Sequence, residues 1–332
     1  MALYDCVVVG AGIMGSCTAY HLAKEGKKTL LLEQFFLPHS RGGSSGQSRI
    51  IRKAYSKHYY GDMVAGSYEM WKEFEKESGE KLQYDTGFLV IGLDGTSSPS
   101  GEELKNMRAT LQRFNIPHDE LSNDQIKERY PTLNYPSSYR AVLDKAAGVL
   151  VAEKCVNVVQ VRDGSFENQY IIFFQPQRAT VMYWKSKDPQ QHLAKDGYPS
   201  ISCRIEDGRG FFYLIPSLEY PGYCKVCFGT TNRSKLVCSS FIDANTLPPN
   251  AQLHKNMYTP DAPSITEYCM YTTWWIIQMT SRKPSFLFSG HGFKLGPAVG
   301  KVLAEMATGC QPSYDISHFK IGRFLNKAKA RL

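Results

Sequence analysis

The chain predicts an α/β fold in which an N-terminal parallel βαβ unit joins a second region of helices and mixed or antiparallel sheet. Three observations carry this. The first is the opening run Asp5-Cys-Val-Val-Val-Gly10-Ala-Gly12-Ile-Met-Gly15, an apolar strand followed by glycines at the spacing G-x-G-x-x-G. The second is Glu33, eighteen residues after Gly15 at the end of the apolar run Leu30-Leu31-Leu32. The third is a later series of short apolar and aromatic runs, Thr180 to Trp184, Gly210 to Ile215 and Tyr223 to Phe228 among them, that read as antiparallel strands.

In the first unit, Val7 to Val9 suits a buried parallel strand, and Met14 to Glu25 continues as the helix. Gly10, Gly12 and Gly15 allow a tight turn, close approach of backbone to a pyrophosphate, and close helix-on-strand packing. The helix N-terminus offers N–H groups and a positive dipole end to phosphates. Glu33 then stands where a carboxylate accepts hydrogen bonds from ribose hydroxyls. Together these make a dinucleotide site, although the fingerprint alone does not separate FAD from NAD.

Next, Asp62 to Lys76 reads as a helix whose apolar face is Val64, Tyr68, Trp71 and Phe74. Gly87 to Gly92 is a strand, Leu93 to Gly101 a loop, and Glu102 to about Phe114 a second helix. Ser122 with Gln125 makes a capping box for a short helix that ends before Pro131. Tyr170 to Phe174 adds a further strand.

Composition limits the function. With 332 residues, 42% of them hydrophobic, the chain can bury a sizeable core, and no apolar run reaches membrane-span length. The net charge of +8 is dispersed among acids rather than gathered in a stripe, which favours an enzyme for anionic small molecules over a nucleic-acid binder. Nine cysteines at irregular spacing, with no secretory signal, read as reduced intracellular thiols. Cys224 and Cys227 have redox or zinc spacing, but on a strand they point to opposite faces, and no metal site is expected.

Three further stretches carry a resemblance: Ser44-Ser-Gly-Gln-Ser-Arg49-Ile-Ile-Arg52-Lys-Ala-Tyr55, Tyr268-Cys269-Met270-Tyr271-Thr272, and Phe288-Ser-Gly-His291-Gly-Phe-Lys294-Leu. Their order and content resemble the monomeric sarcosine oxidase family. That resemblance implies a glutathione-reductase-like, Rossmann-like FAD-binding domain interleaved with an α+β substrate domain. The FAD domain would comprise 1–80 and 264–332 and the substrate domain mainly 81–263, with 140–165 returning to the FAD domain. It implies a monomeric oxidase of secondary amino acids such as sarcosine or pipecolate, which forms an imine and reduces O2 to H2O2.

The resemblance also assigns roles. Arg52 and Lys294 match positions that hold the substrate carboxylate, Lys225 the lysine that promotes reaction with oxygen, and Arg49 a second cation beside the flavin. Tyr213 and Tyr271 match tyrosines of the pocket; each also reads as a packed core aromatic. Ser44, Ser45, Gly290 and Gly292 fall in the cofactor-binding motifs, with Ser45 where a histidine is usual and Gly229 where a pocket histidine is usual. Cys269 matches the cysteine that carries FAD through a thioether, a role that needs a thiolate. The terminal Ala330-Arg331-Leu332 resembles a peroxisomal address for the import receptor.

Measured against that family the chain is shorter by several tens of residues, in the middle and near Thr272. Two readings of different class therefore stand: an active peroxisomal flavin oxidase, and a non-catalytic shortened relative with an incomplete FAD enclosure. An NAD-dependent dehydrogenase is a third, needing neither Cys269 nor Lys225.

Overall fold

The computed structural model describes residues 4–37, 39, 42–55, 57–95, 98–160, 177–204, 210–218, 220–230, 265–271 and 291–319. Strands β1 (Cys6–Val9) and β2 (Thr29–Leu32) pair in parallel, and helix α1 (Ile13–Lys24) makes the crossover that a parallel pair requires. Gly10 turns the chain out of β1 at φ 100°, a conformation open to glycine. A Cβ on Gly15 would overlap the Gly10 carbonyl oxygen, so the helix approaches the turn as closely as a bare backbone allows.

Two other helices flank α1. Helix α5 (Ala152–Gln160) follows strand β8 (Gly148–Val151), and its Gln160 Nε2 donates to the Ala11 carbonyl at 2.5 Å. Helix α6 (Gly296–Ala307) packs against α1 through glycines: a Cβ on Gly300 would come within 2.5 Å of Cys17 Cβ, and one on Gly296 within 2.9 Å of Ile13 Cγ1. Helix α2 (Gly61–Ser78) buries Val64, Tyr68, Trp71 and Phe74 against this group and ends at Gly79 in the left-handed conformation, φ 71°.

Strand β3 (Ser48–Ile51) pairs antiparallel with β8, which also pairs with β4 (Gln83–Tyr84). The 140–165 stretch thus contributes β8 and α5 to packing on β3 and α1.

The larger sheet has eight strands. It comprises β5 (Phe88–Leu93), β6 (His118–Leu121), β7 (Tyr139–Asp144), β9 (Gln177–Lys185), β10 (Ser200–Arg204), β11 (Gly210–Ile215), β12 (Tyr223–Thr230) and β13 (Ile265–Tyr271). Their order is β13-β9-β12-β11-β10-β5-β7-β6, with β10–β5 parallel and the other pairs antiparallel. The period of two sorts β5 cleanly. Leu89 and Ile91 join Leu121, Ile126 and Trp184 on one face, while Phe88 and Val90 meet Leu104, Met107 and Leu111 of helix α3 (Pro99–Arg113) on the other.

Some expectations need correcting. Residues 99–101 are not loop: α3 starts at Pro99, because proline suits the first helical position and the Ser98 side chain accepts the Gly101 N–H. Helix α4 (Asn123–Arg129) has the expected Ser122–Gln125 capping box. Cys224 and Cys227 are both buried and lie in different apolar clusters, as their strand spacing requires. The expected strand Tyr170 to Phe174 lies outside the described residues.

Candidate active site

At the nucleotide end, the glycine turn and the acid at the end of β2 are joined directly. Glu33 Oε2 accepts the Ala11 N–H at 2.9 Å, and Oε1 accepts those of Gln34 at 2.9 Å and Phe35 at 3.3 Å. His39 Nε2 lies 3.3 Å from the same carboxylate. Gly12 is the N-cap residue of α1 and has no side chain with which to cap it. Ser44 supplies that function from a distant loop, its Oγ accepting the Ile13 N–H at 2.9 Å. Ser45 Oγ donates to the Gly42 carbonyl at 2.7 Å, which tightens the same loop.

Four cations gather between this unit and the large sheet. Arg49, on β3, donates through Nη1 to the Ser48 carbonyl at 2.8 Å and through Nη2 to the carbonyls of Gly43 and Ser45. Its guanidinium sits 5.4 Å from the centre of the Phe293 ring. Lys225, on β12 and only 2% exposed, donates to the same Ser48 carbonyl at 3.3 Å. It reaches β3 because β11, the neighbour of β12, touches β3.

Arg52 and Lys294 are held differently. The Arg52 guanidinium lies 4.9 Å from the Tyr55 ring centre and 4.8 Å from that of Phe88, and it makes no ion pair among the described residues. Lys294 is buried in the turn before α6, where Trp71 Nε1 donates to its carbonyl at 3.0 Å. Its Nζ has no hydrogen-bond or ion-pair partner among the described residues. Burial first, then the positive charges of Arg52 and Arg49, hold its ammonium pKa well below the usual lysine value.

His291 was not assigned a role from the sequence. Its ring meets those of Tyr55 and Tyr60 edge-on at 5.0 and 5.2 Å. Burial, with Lys294, Arg52 and Lys57 adding positive charge, pushes its pKa down to about 2, so it is neutral at physiological pH. Only its place in the Ser289-Gly-His-Gly-Phe-Lys294 run could have signalled it.

The other named positions are on the sheet. Tyr213 pairs with Cys227 and Ile215 with Lys225, so register parity puts Tyr213 on the face of Lys225. The backbone of β13 pairs Cys269 with Ala179 and Tyr271 with Gln177. Because Ile265 pairs with Tyr183 and Tyr183 with Lys225, positions 269 and 271 have the same parity as Lys225. Gly292 precedes the 3-10 turn Phe293–Leu295. Gly290, Gly229's side of the pocket and Ala330-Arg331-Leu332 fall where no side-chain surroundings are described.

The comparisons with known proteins agree with one another. Residues 5–160 match the family described as FAD dependent oxidoreductase. Peroxisomal sarcosine oxidase of Homo sapiens is 34% identical over 392 aligned positions, which cover 99% of this chain and 98% of the relative. Monomeric sarcosine oxidase of Arthrobacter sp. is 28% identical, covering 98% of each. An alignment of 392 positions against 332 residues leaves at least 60 positions with no residue here.

Among solved structures, the open form of NikD, an unusual amino acid oxidase essential for nikkomycin biosynthesis, superposes with a TM-score of 0.72 at 16% identity, covering 95% of this chain and 96% of that one. L-proline dehydrogenase from P. horikoshii gives 0.71 at 18% identity, covering 97% of each. These two likenesses show the fold, mixed sheet included. With 34% identity running through nearly the whole of both chains, the protein belongs to the sarcosine oxidase family of FAD-dependent oxidoreductases.

Proposed function

We propose that this chain is a flavin-dependent oxidase of secondary amino acids, of the sarcosine and L-pipecolate class. It would oxidise the C–N bond to an imine and pass the two electrons to O2, giving H2O2. The observation that carries the reading is the convergence of Arg49, Arg52, Lys225 and Lys294, with Arg52 half-buried, Lys294 buried, and neither in an ion pair among the described residues. Buried cations without anions are costly, and an incoming carboxylate is the natural partner.

The residues present fit FAD. Gly10 and Gly15 leave the turn bare, Glu33 is fixed to that turn through Ala11, and α1 presents its N-terminus beside Ser44. Gly10, Gly12, Gly15, Glu33, Ser44, Ser45, Arg49, Gly290 and Gly292 would hold the cofactor. When bound, FAD supplies the two-electron acceptor and its reoxidation by O2.

Around it, Arg52 and Lys294 bind and orient the substrate carboxylate, and Tyr213 and Tyr271 line the pocket. Lys225 keeps positive charge where oxygen is reduced and stabilises the developing anion. Cys269 carries the flavin covalently. The peroxisome is the proposed location, supported by the names of the relatives from Homo sapiens and Mus musculus. The protein would work as a monomer.

The missing 60 or more positions favour a second reading, a non-catalytic relative whose cofactor enclosure is incomplete. One experiment separates the two. The purified protein is denatured in acid and washed, with Cys269→Ala as control. Flavin colour kept by the parent and lost by the variant supports the covalent oxidase, whereas a colourless parent after refolding with FAD gives the second reading.

A further inference from the structure

Asp144 closes β7 with its carboxylate fully buried, at 0% exposure, yet it makes no ion pair among the described residues. Among the described residues, all the hydrogen bonds of its side chain come from backbone N–H groups. Oδ2 accepts the N–H of Lys53 at 2.8 Å and that of Ala54 at 2.7 Å, and Oδ1 accepts the N–H of Ala146 at 3.0 Å. Lys53 and Ala54 are the two residues that follow Arg52. Across the ladder, Asp144 pairs directly with Phe88, whose ring centre lies 4.8 Å from the Arg52 guanidinium. One rung of the β5–β7 pair therefore secures Arg52 twice, by an aromatic surface beside its side chain and by a carboxylate on the backbone just beyond it.

The arrangement has a chemical logic. A carboxylate placed on the guanidinium itself would neutralise Arg52 and compete with an incoming anion. Placed on the two amides, it fixes the direction in which Arg52 leaves the strand and still contributes negative potential to a site crowded with cations. We infer that Asp144 is a positioning residue, which sets Arg52 over Phe88 for the substrate carboxylate. This rests on reading Arg52 as a carboxylate-binding group.

The test uses the flavin-loaded enzyme, with propionate and its uncharged analogue propionamide as competitors of sarcosine oxidation. Asp144→Asn, Arg52→Ala and the double variant are compared with the parent. Asp144→Asn should weaken propionate roughly three- to tenfold, leave propionamide unchanged, and add nothing further in the Arg52→Ala background. Propionate binding unaffected by Arg52→Ala would remove Arg52 from the pocket and overturn the reading beneath the proposal. An effect of Arg52→Ala with none from Asp144→Asn, equal weakening of both competitors, or additivity in the double variant would overturn the positioning role alone. Should Asp144→Asn not fold with flavin, Asp144→Ser keeps an acceptor without the charge and is read in the same way.

Discussion

The two halves of the cation cluster are built on opposite plans. Arg49 and Lys225 converge on one carbonyl, that of Ser48, and Arg49 holds two more in the loop before it. Arg52 and Lys294 rest on rings or in a buried turn, with no ion-pair partner among the described residues. The first pair is held by the chain's own backbone carbonyls. The second pair has no ion-pair partner among the described residues, which on the proposed reading leaves it for an incoming anion. This division suits a catalyst in which one set of charges must stay fixed while another exchanges ligands.

The largest expected effect tests the fixed pair. Lys225→Met should slow reoxidation of the reduced flavin on the order of a hundredfold or more, with reduction by substrate little changed, as stopped-flow absorbance would show. Equal slowing of both half-reactions would remove Lys225 from the oxygen step.

The exchanging pair gives the next effects. Lys294→Met should weaken propionate roughly tenfold or more and at the same time stabilise the ligand-free protein by about 1–4 kcal/mol, since it removes a buried, unpaired charge. A variant that loses both affinity and stability would mean that Lys294 is paired in solution. Titration supplies a subtler measure. Because the folded pKa of Lys294 is lowered, the unfolded chain binds more protons between the two values, so ligand-free stability should rise with pH through that window. Propionate affinity should fall over the same range, below the ordinary lysine region, and Lys294→Met should abolish that fall. The smallest effect is a control far from the cluster. Ser122→Ala removes one arm of the α4 capping box and should cost about 1 kcal/mol of stability, with both half-reactions and propionate binding unchanged.

What could be read in the sequence was whatever its own neighbours determine. The β1–α1–β2 unit, the apolar face of α2 and the capping box of α4 each depend on residues within one or two turns. The start of α3 was misplaced because glycine and serine were taken as loop formers, whereas Ser98 and Pro99 begin a helix with them. Helix α6 went unread, since its glycines make sense only against Ile13 and Cys17 at the other end of the chain. Arg49, Arg52, Lys225 and Lys294 stand out through motifs rather than periodicity, and the fold brings these four together. Asp144 and His291 were missed for the same physical reason. Nothing local marks a carboxylate that serves amides ninety positions away, or a histidine kept neutral first by burial and then by cations that include the distant Arg52 and Lys57.

The seam between α1 and α6 has one more consequence. His21 faces the Pro297 carbonyl across 276 positions of chain, and Gly300 fits against Cys17 with no room for a side chain. The helix that follows the glycine-rich turn and the helix packed on it come from widely separated parts of the chain. A contact of such long sequence separation forms slowly and only after the intervening chain is made. Docking of α6 on α1 is therefore expected to come late in folding, after the local β1–α1–β2 unit has formed.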